Sequence, residues 1–346
     1  MAKVLKMLFN PLASTLPPTR QWHDAGLVVR PLPVSPEEPT MSLRHSPLGR
    51  RQFLKGSASA LAAAALGTSR VALGQETKGA TPRFEFCAFE KFLQKLSYDE
   101  LADTLAELGF SGVEATVRSN GHVKPEAVEE ELPRMHEALA KRGLGITIMT
   151  TEVLRADDPL AQKVLQAATK LGIKRYRTGN FRYNLKKDIL AQLDGWRGQL
   201  KELAAYNGEL GIQGLYQNHS GVNYVGATVW DVHRMIHDLP ASQLGIAFDI
   251  RHATIEAGLA WEVLYRVAKP HIGALYFKDF VRKGRRAEHA PLGSGVDPAF
   301  YGMVLRDNLQ VPLSLHVEYL PSEGIEANVE ALRRDFATLK KMLKVS

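Results

Sequence analysis

The chain has 346 residues, 45% of them hydrophobic, with a formal charge of +7 and one cysteine. This supports one large or two ordinary globular domains with a sizeable core, and a lone cysteine excludes an intramolecular disulfide. The charge is uneven: residues 1–74 carry nine Lys or Arg against three Asp or Glu, which leaves 75–346 at +1. Such a body lacks the basic surplus of a general phosphate binder, so nucleic acid is not an expected partner.

Within the basic leader, GRRQFLKG (49–56) precedes the small apolar run SASALAAAALG and then ALGQE, whose Ala72 and Gly74 suit a small-residue cleavage site. Arg50, Arg51, Phe53, Leu54 and Lys55 resemble a twin-arginine export signal. The apolar run is far shorter than the ~18 residues of a membrane span, so no stable span is expected. Met41 stands at a natural start, MSLRHSPLGRRQFLKG. The expected organisation is therefore 1–40 as a disordered or misassigned extension, 41–74 as a cleavable signal and 75–346 as a single folded domain. The expected location is periplasmic or otherwise exported, with the twin-arginine machinery as partner. Such machinery carries folded proteins, and a body without disulfides fits; Cys87 reads as a small core residue on the first strand.

From residue 84, short β-rich runs alternate with helical patterns. FEFCAF (84–89) opens the series, and YDELADTLAELG follows with a capping box of Ser97 and Glu100. Next come GVEATV (112–117), PRMHEALAKRG, GITIMT (145–150), PLAQKVLQAATKLG, KRYRTG (174–179) and the long ILAQLDGWRGQLKELAAYNGELG. GLYQN (214–218), VWDVHRMIHDL, LGIAFDI (244–250), IGALYFKDF (272–280) and PLSLHVEY (312–319) complete the body. Gly109, Gly143, Gly172 and Gly211 fall where helices should end, and Asp297 before Pro298 reads as a helix start. Eight strand–helix units of this length predict a (β/α)₈ TIM barrel. A doubly wound sheet is the alternative, but no GxGxxG follows the first strand.

A barrel of this type places its site at the C-terminal ends of the strands, where polar residues gather in this sequence. Glu114 leads to Arg118 and His122, the third strand to Thr151 and Glu152, and the fourth carries Arg175 and Arg177. Gln217, Asn218 and His219 follow the fifth strand, and Asp249, Arg251 and His252 the sixth. Lys278 and Asp279 follow the seventh, and His316 and Glu318 lie on the eighth. Alternation along a strand puts Gln217 with His219, Tyr276 with Lys278, and His316 with Glu318 on common inward faces.

Taken in order, YQNHSG, VGATVWD, FDIRHA, KDF, PLGSG and LHVEY resemble the xylose isomerase-like TIM-barrel family, which includes sugar phosphate isomerases and epimerases. TVRSNGHVKPE resembles an exported branch of it. The resemblance implies a divalent cation, manganese first and zinc, magnesium or cobalt as alternatives. In that family a glutamate, an aspartate, a histidine and a glutamate from strands five to eight hold it. Asp249 and Glu318 match two of these; Gln217 stands at the first position and Tyr276 at the third. An amide oxygen binds a hard cation, but glutamine cannot take up a proton, which puts two-base epimerisation in doubt. Ser294 in PLGSG stands where relatives carry a glutamate.

The resemblance implies an exported enzyme on a sugar or keto-sugar that works through an enediolate, by isomerisation or epimerisation. A lyase or dehydratase of the same fold and a non-catalytic carbohydrate-binding barrel are the alternatives. Glu318, His219, Lys278 and His316 are the candidate catalytic groups. Arg118, His122, Glu152, Arg177, Asn218 and His252 are the candidate substrate contacts, with Gln217, Asp249 and Glu318 around the metal. Each has a structural reading too: His316 as a core histidine, Asp249 paired with Arg251 or His252, Lys278 neutralised by Asp279, Glu114 or Glu152 capping loops, His122 idle in its loop and Arg175 at the surface.

Overall fold

The computed structural model describes residues 84–284 and 286–345; the expected extension at 1–40 and signal segment at 41–74 lie outside them. Strands β1 (Phe86–Phe89), β2 (Gly112–Thr116), β3 (Gly145–Thr150), β4 (Arg175–Arg177), β5 (Gln213–Gln217), β6 (Leu244–Asp249), β7 (Ile272–Phe277) and β10 (Leu313–Leu315) form a closed parallel barrel. Its order follows the chain, and β10 closes onto β1 with Phe86 opposite Leu313 and Ala88 opposite Leu315. Parallel neighbours require a crossover, and helices supply it: α1 (Tyr98–Leu108), α2 (Val128–Ala140), α3 (Pro159–Lys170), α4 (Ile189–Leu210), α5 (Trp230–Ile236), α6 (Ile250–Ala257), α7 (Trp261–Ala268), α8 (Ala299–Asp307) and α9 (Ile325–Met342). The expected barrel is therefore present.

Local chemistry explains the helix limits. The Ser97–Glu100 capping box opens α1, and Gly109 ends it in the left-handed region at φ 85°. Leu101, Leu105 and Leu108 face the barrel at helical spacing, so Leu105→Ala would cost about 2–5 kcal/mol. The predicted start at Asp297 shifts slightly: the helix begins at Ala299, whose N–H donates to the Asp297 carboxylate at 2.9 Å.

Alternation on the strands divides the core. Outward residues such as Val113, Tyr176, Phe248 and Phe277 join the layer under the helices, while Cys87, Ile148, Leu215, Ala247, Ala274 and Tyr276 make a separate cluster within the barrel. Cys87 is fully buried, and burial followed by the nearby Glu114 charge pushes its thiol pKa well up, in keeping with a core residue. At Gly112 a Cβ would fall 2.4 Å from the Gly145 carbonyl oxygen, so β2 and β3 approach as closely as they do only with glycine there.

IGALYFKDF is not one strand. β7 ends at Phe277, and Asp279 begins an antiparallel hairpin of β8 (Asp279–Lys283) and β9 (Arg286–Ala290). The cause is Asp279, 1% exposed, whose carboxylate accepts the backbone N–H groups of Phe280, Gly293, Ser294, Gly295 and Val296. Five donors pull the chain out of the barrel and fold PLGSG against it. Lys278, at the break, turns into the mouth.

Candidate active site at the barrel mouth

Glu114 forms the floor. Its carboxylate is fully buried and accepts from Thr150 Oγ1 at 2.6 Å, Tyr276 Oη at 2.9 Å, Ser314 Oγ at 2.5 Å and His316 Nε2 at 3.0 Å. Arg177 Nη1 lies 3.9 Å away. These donors saturate the acceptor sites of a carboxylate. Burial alone would raise its pKa, but His316, Arg177 and Ser314 outweigh it and hold the group at about 2.

Above the floor sits a lysine. Lys278 Nζ lies 3.0 Å from Asp249 Oδ2 and donates to Glu318 Oε2 at 3.1 Å. Lys91 donates to the other Glu318 oxygen at 2.7 Å. Asp249 also caps α6, accepting the His252 N–H on Oδ1, and receives Gln217 Nε2 on Oδ2 at 2.8 Å. Burial opposes the charge on Glu318, yet Lys278, His316 and Lys91 hold its pKa well below the usual range.

Histidines and arginines line the rim. His219 stacks on Tyr224 and packs at a tilt against His252, with ring centroids 4.2 and 4.0 Å away. Its Nδ1 lies 2.9 Å from the Ser220 carbonyl, which makes Nδ1 the protonated nitrogen and leaves Nε2 as a lone-pair acceptor. Burial, then Lys278, pushes its pKa down to about 4. Arg118 and Arg177 lie over the Phe89 ring at 6.0 and 5.5 Å. Arg118 forms no ion pair among the described residues, and burial followed by Arg177 lowers its pKa. Arg118 Nε, Arg177 Nε, Arg251 Nε, His252 Nε2 and His316 Nδ1 are all buried without a partner. Such atoms are costly unless water or a ligand meets them.

The structure brings together Gln217, His219, Asp249, His252, Lys278, Glu318, Arg118 and Arg177 at this mouth, with His316 on its floor. Other expected residues work elsewhere. Asn218 is spent on the backbone, its amide donating to the Asp249 carbonyl at 2.9 Å and accepting the Asp249 N–H at 2.7 Å. Glu152 holds the loop after β2 through the Ser119 N–H and hydroxyl. His122 faces Glu90 at 2.9 Å and packs at a tilt against Tyr98, lining a separate cavity of about 400 Å³ with Arg134 and Lys141. These three side chains, expected as substrate contacts, are engaged with protein groups here. Lys278 and Asp279 do not neutralise each other, because each has other partners. Lys91, Phe89 and His289 are mouth residues that sequence reasoning missed; FEK at the end of the first strand was the available signal for two of them.

The chain matches the xylose isomerase-like TIM barrel family over residues 102–341, well over half its length. It belongs to that family. Residues 47–67 match the twin-arginine translocation signal, so this family member is marked for export. No described helix is long and apolar enough to cross a membrane. The 3-keto-D-glucoside 4-epimerase of E. coli superposes with a TM-score of 0.59 at 16% identity, covering 75% of this chain and 100% of that one. A putative xylose isomerase of Rhodospirillum rubrum gives 0.60 at 16% identity, covering 76% and 100%. A xylose isomerase-like protein of Mycobacterium smegmatis, solved in complex with magnesium, gives 0.54 at 17% identity, covering 75% and 98%. At such identities the likeness establishes the fold. No curated protein sequence matches the chain.

The divalent-ion centre expected of this family does not assemble from the residues present. Gln217 presents its NH₂ to Asp249, and its ligating oxygen accepts from Arg177 at 2.9 Å. Tyr276 sends its hydroxyl to Glu114. Asp249 and Glu318 are bridged by Lys278. Among the described residues, no three His, Cys, Asp or Glu side chains are grouped so as to hold a metal. The three side chains on which a divalent ion was expected, Gln217, Asp249 and Glu318, are here engaged with one another, Arg177, Lys278 and Lys91.

Proposed function

We propose that this protein is an exported sugar or keto-sugar isomerase or epimerase that works through an enediolate. One observation carries the reading: Lys278, an ammonium donor held by two carboxylates, sits at the barrel mouth with His219 in its field, and His219 offers a free Nε2. The fold shared with a 3-keto-D-glucoside 4-epimerase and a D-psicose 3-epimerase supports the substrate class.

In this scheme the substrate carbonyl oxygen accepts a hydrogen bond from Lys278, and His219 Nε2 takes the proton from the neighbouring carbon. The C–H electron pair becomes the enediolate double bond, and the carbonyl π pair moves to oxygen beside the ammonium. Return of the proton from His219 to the former carbonyl carbon, with the hydroxyl proton passing to the first oxygen, completes isomerisation. Arg118 and Arg177 hold hydroxyl or carboxylate groups over Phe89, which supplies an apolar face for the sugar ring. His316, fixed by Glu114, orients the floor.

Gln217 favours a second outcome. A glutamine cannot serve as the second base of an epimerisation, whereas a single base suffices for the enediolate to expel the hydroxyl on the adjacent carbon as water, the proton returning from His219. That would make the protein a keto-sugar lyase or dehydratase.

Incubation of the full chain with free ketoses, aldoses and 3-keto-glycosides in deuterated buffer tests both. Deuterium wash-in at a carbon next to the carbonyl, lost in His219→Gln, is the expected result. New sugars indicate isomerisation or epimerisation, and unsaturated or dehydrated products indicate elimination. Tight sugar binding with neither exchange nor turnover would replace this reading with a carbohydrate-binding barrel.

A further inference from the structure

We infer that Lys278, neutralised together with Lys91 by Asp249 and Glu318, is a resident cation that takes the place of a divalent ion in this barrel. The geometry is that of a bridged centre: Nζ stands 3.0 Å from Asp249 Oδ2 and 3.1 Å from Glu318 Oε2. The three side chains are 5%, 0% and 9% exposed, so water does little to screen them. A hard cation needs oxygen ligands at about 2.0–2.6 Å around one point, and that point between the two carboxylates holds an ammonium.

Charge supports the same assignment. The carboxylates of Asp249 and Glu318 are balanced by the ammonium groups of Lys278 and Lys91, the latter 2.7 Å from Glu318 Oε1. An entering divalent ion would meet an already neutral set and place its charge against a buried ammonium. Gln217 agrees independently. Its amide is oriented by an acceptor on one side and a donor on the other, Asp249 and Arg177. Its oxygen would have to leave the guanidinium to ligate an ion.

The substitution changes what the centre can do. An ammonium has three N–H donors; Glu318 accepts one, Asp249 is an ion-pair partner at 3.0 Å, and donor capacity is left for a substrate oxygen. Charge on an enediolate is then met by a hydrogen-bonded cation supplied by the chain itself, and an exported protein keeps it whatever metals surround it. This role in turnover rests on the keto-sugar reading above. The occupancy of the centre does not.

Elemental mass spectrometry of the full chain, purified without chelator, and thermal unfolding with added manganese chloride test the assignment. Wild type should carry far less than one divalent ion per chain, and neither manganese nor a chelator should shift its Tm. Lys278→Ala vacates the point between the carboxylates and should gain a saturable rise of roughly 5 °C at about 100 times the dissociation constant. A near-stoichiometric ion in wild type, or a Tm that falls with chelator, would overturn the assignment. So would a folded Lys278→Ala that stays indifferent to manganese. If that variant does not fold, the wild-type measurements decide alone. Failure to convert any keto-sugar would sink the functional reading and leave these results standing, whereas tight manganese binding by wild type would do the reverse.

Discussion

Lys278 and Asp279 are adjacent in the chain and serve opposite sides of it: the ammonium reaches Asp249 and Glu318 in the mouth, while the carboxylate gathers five backbone N–H groups of the hairpin and the PLGSG turn. Each is nearly buried, and neither is free to neutralise the other. The carboxylate thereby fixes the point at which β7 stops and the lysine turns inward.

Asp279→Ala leaves those five donors without their acceptor. Hydrogen bonds to a charged group contribute more than neutral ones, and the expected loss is about 3 kcal/mol or more in urea unfolding. A loss under ~1 kcal/mol would mean that the loop finds other acceptors, and Lys278 would not depend on it.

Lys278→Met removes the charge between two buried carboxylates. Stability should fall by ~3–5 kcal/mol, and kcat by about 10²-fold or more. Lys278→Arg should not restore turnover, because a planar guanidinium cannot occupy the position of a compact ammonium. Full activity in the arginine variant would show that charge alone suffices.

Arg118 has no ion-pair partner among the described residues, so Arg118→Ala should leave Tm nearly unchanged. If the guanidinium holds a substrate group, KM rises about 10- to 100-fold with little change in kcat. An unchanged KM across neutral and carboxylate-bearing sugars would remove Arg118 from the substrate contacts.

The pKa of His219 is depressed from 6.5 to about 4. A base whose folded pKa lies below the unfolded one stabilises the protein above 6.5 and loses that contribution as pH falls towards 4. Turnover that needs neutral His219 should therefore stay flat down to pH 5 and decline near about 4. His289 is depressed to the same level, so the profile of His219→Gln must accompany that of wild type. An acid limb near 6.5 would assign the base to another group.

Glu114 gives a separate acid signature. Its pKa falls from 4.5 to about 2, so its contribution is complete above 4.5 and lost as pH drops towards 2. Glu114→Gln should be less stable than wild type at neutral pH, with the gap narrowing by on the order of 3 kcal/mol in acid. A gap independent of pH would mean that the carboxylate is not charged in the fold.

The barrel was legible because its signals are local. Period-two runs, helical spacing, the Ser97–Glu100 box and the four glycines at helix ends each act within a few residues, and all recur in the structure. The hairpin after β7 was not legible, because KDFVRK continues a β-rich run and the groups that break it at Asp279 arrive from residues 293–296.

The membership of the site followed the same division. Strand alternation and the polar strand ends place Gln217, Asp249, Lys278, His316 and Glu318 at one mouth from sequence alone, and the order of the motifs indicates the family. Which atom faces which was a matter of tertiary structure. Lys278 meets Glu318 across 40 residues, His316 meets Glu114 across 202, and Gln217 lies between Asp249 and Arg177. Hydrogen bonding and charge balance are settled among side chains from different strands, so the sequence by itself determined the barrel and the ring of polar residues. Only closure of the barrel decided that the Lys278 ammonium stands between the carboxylates of Asp249 and Glu318.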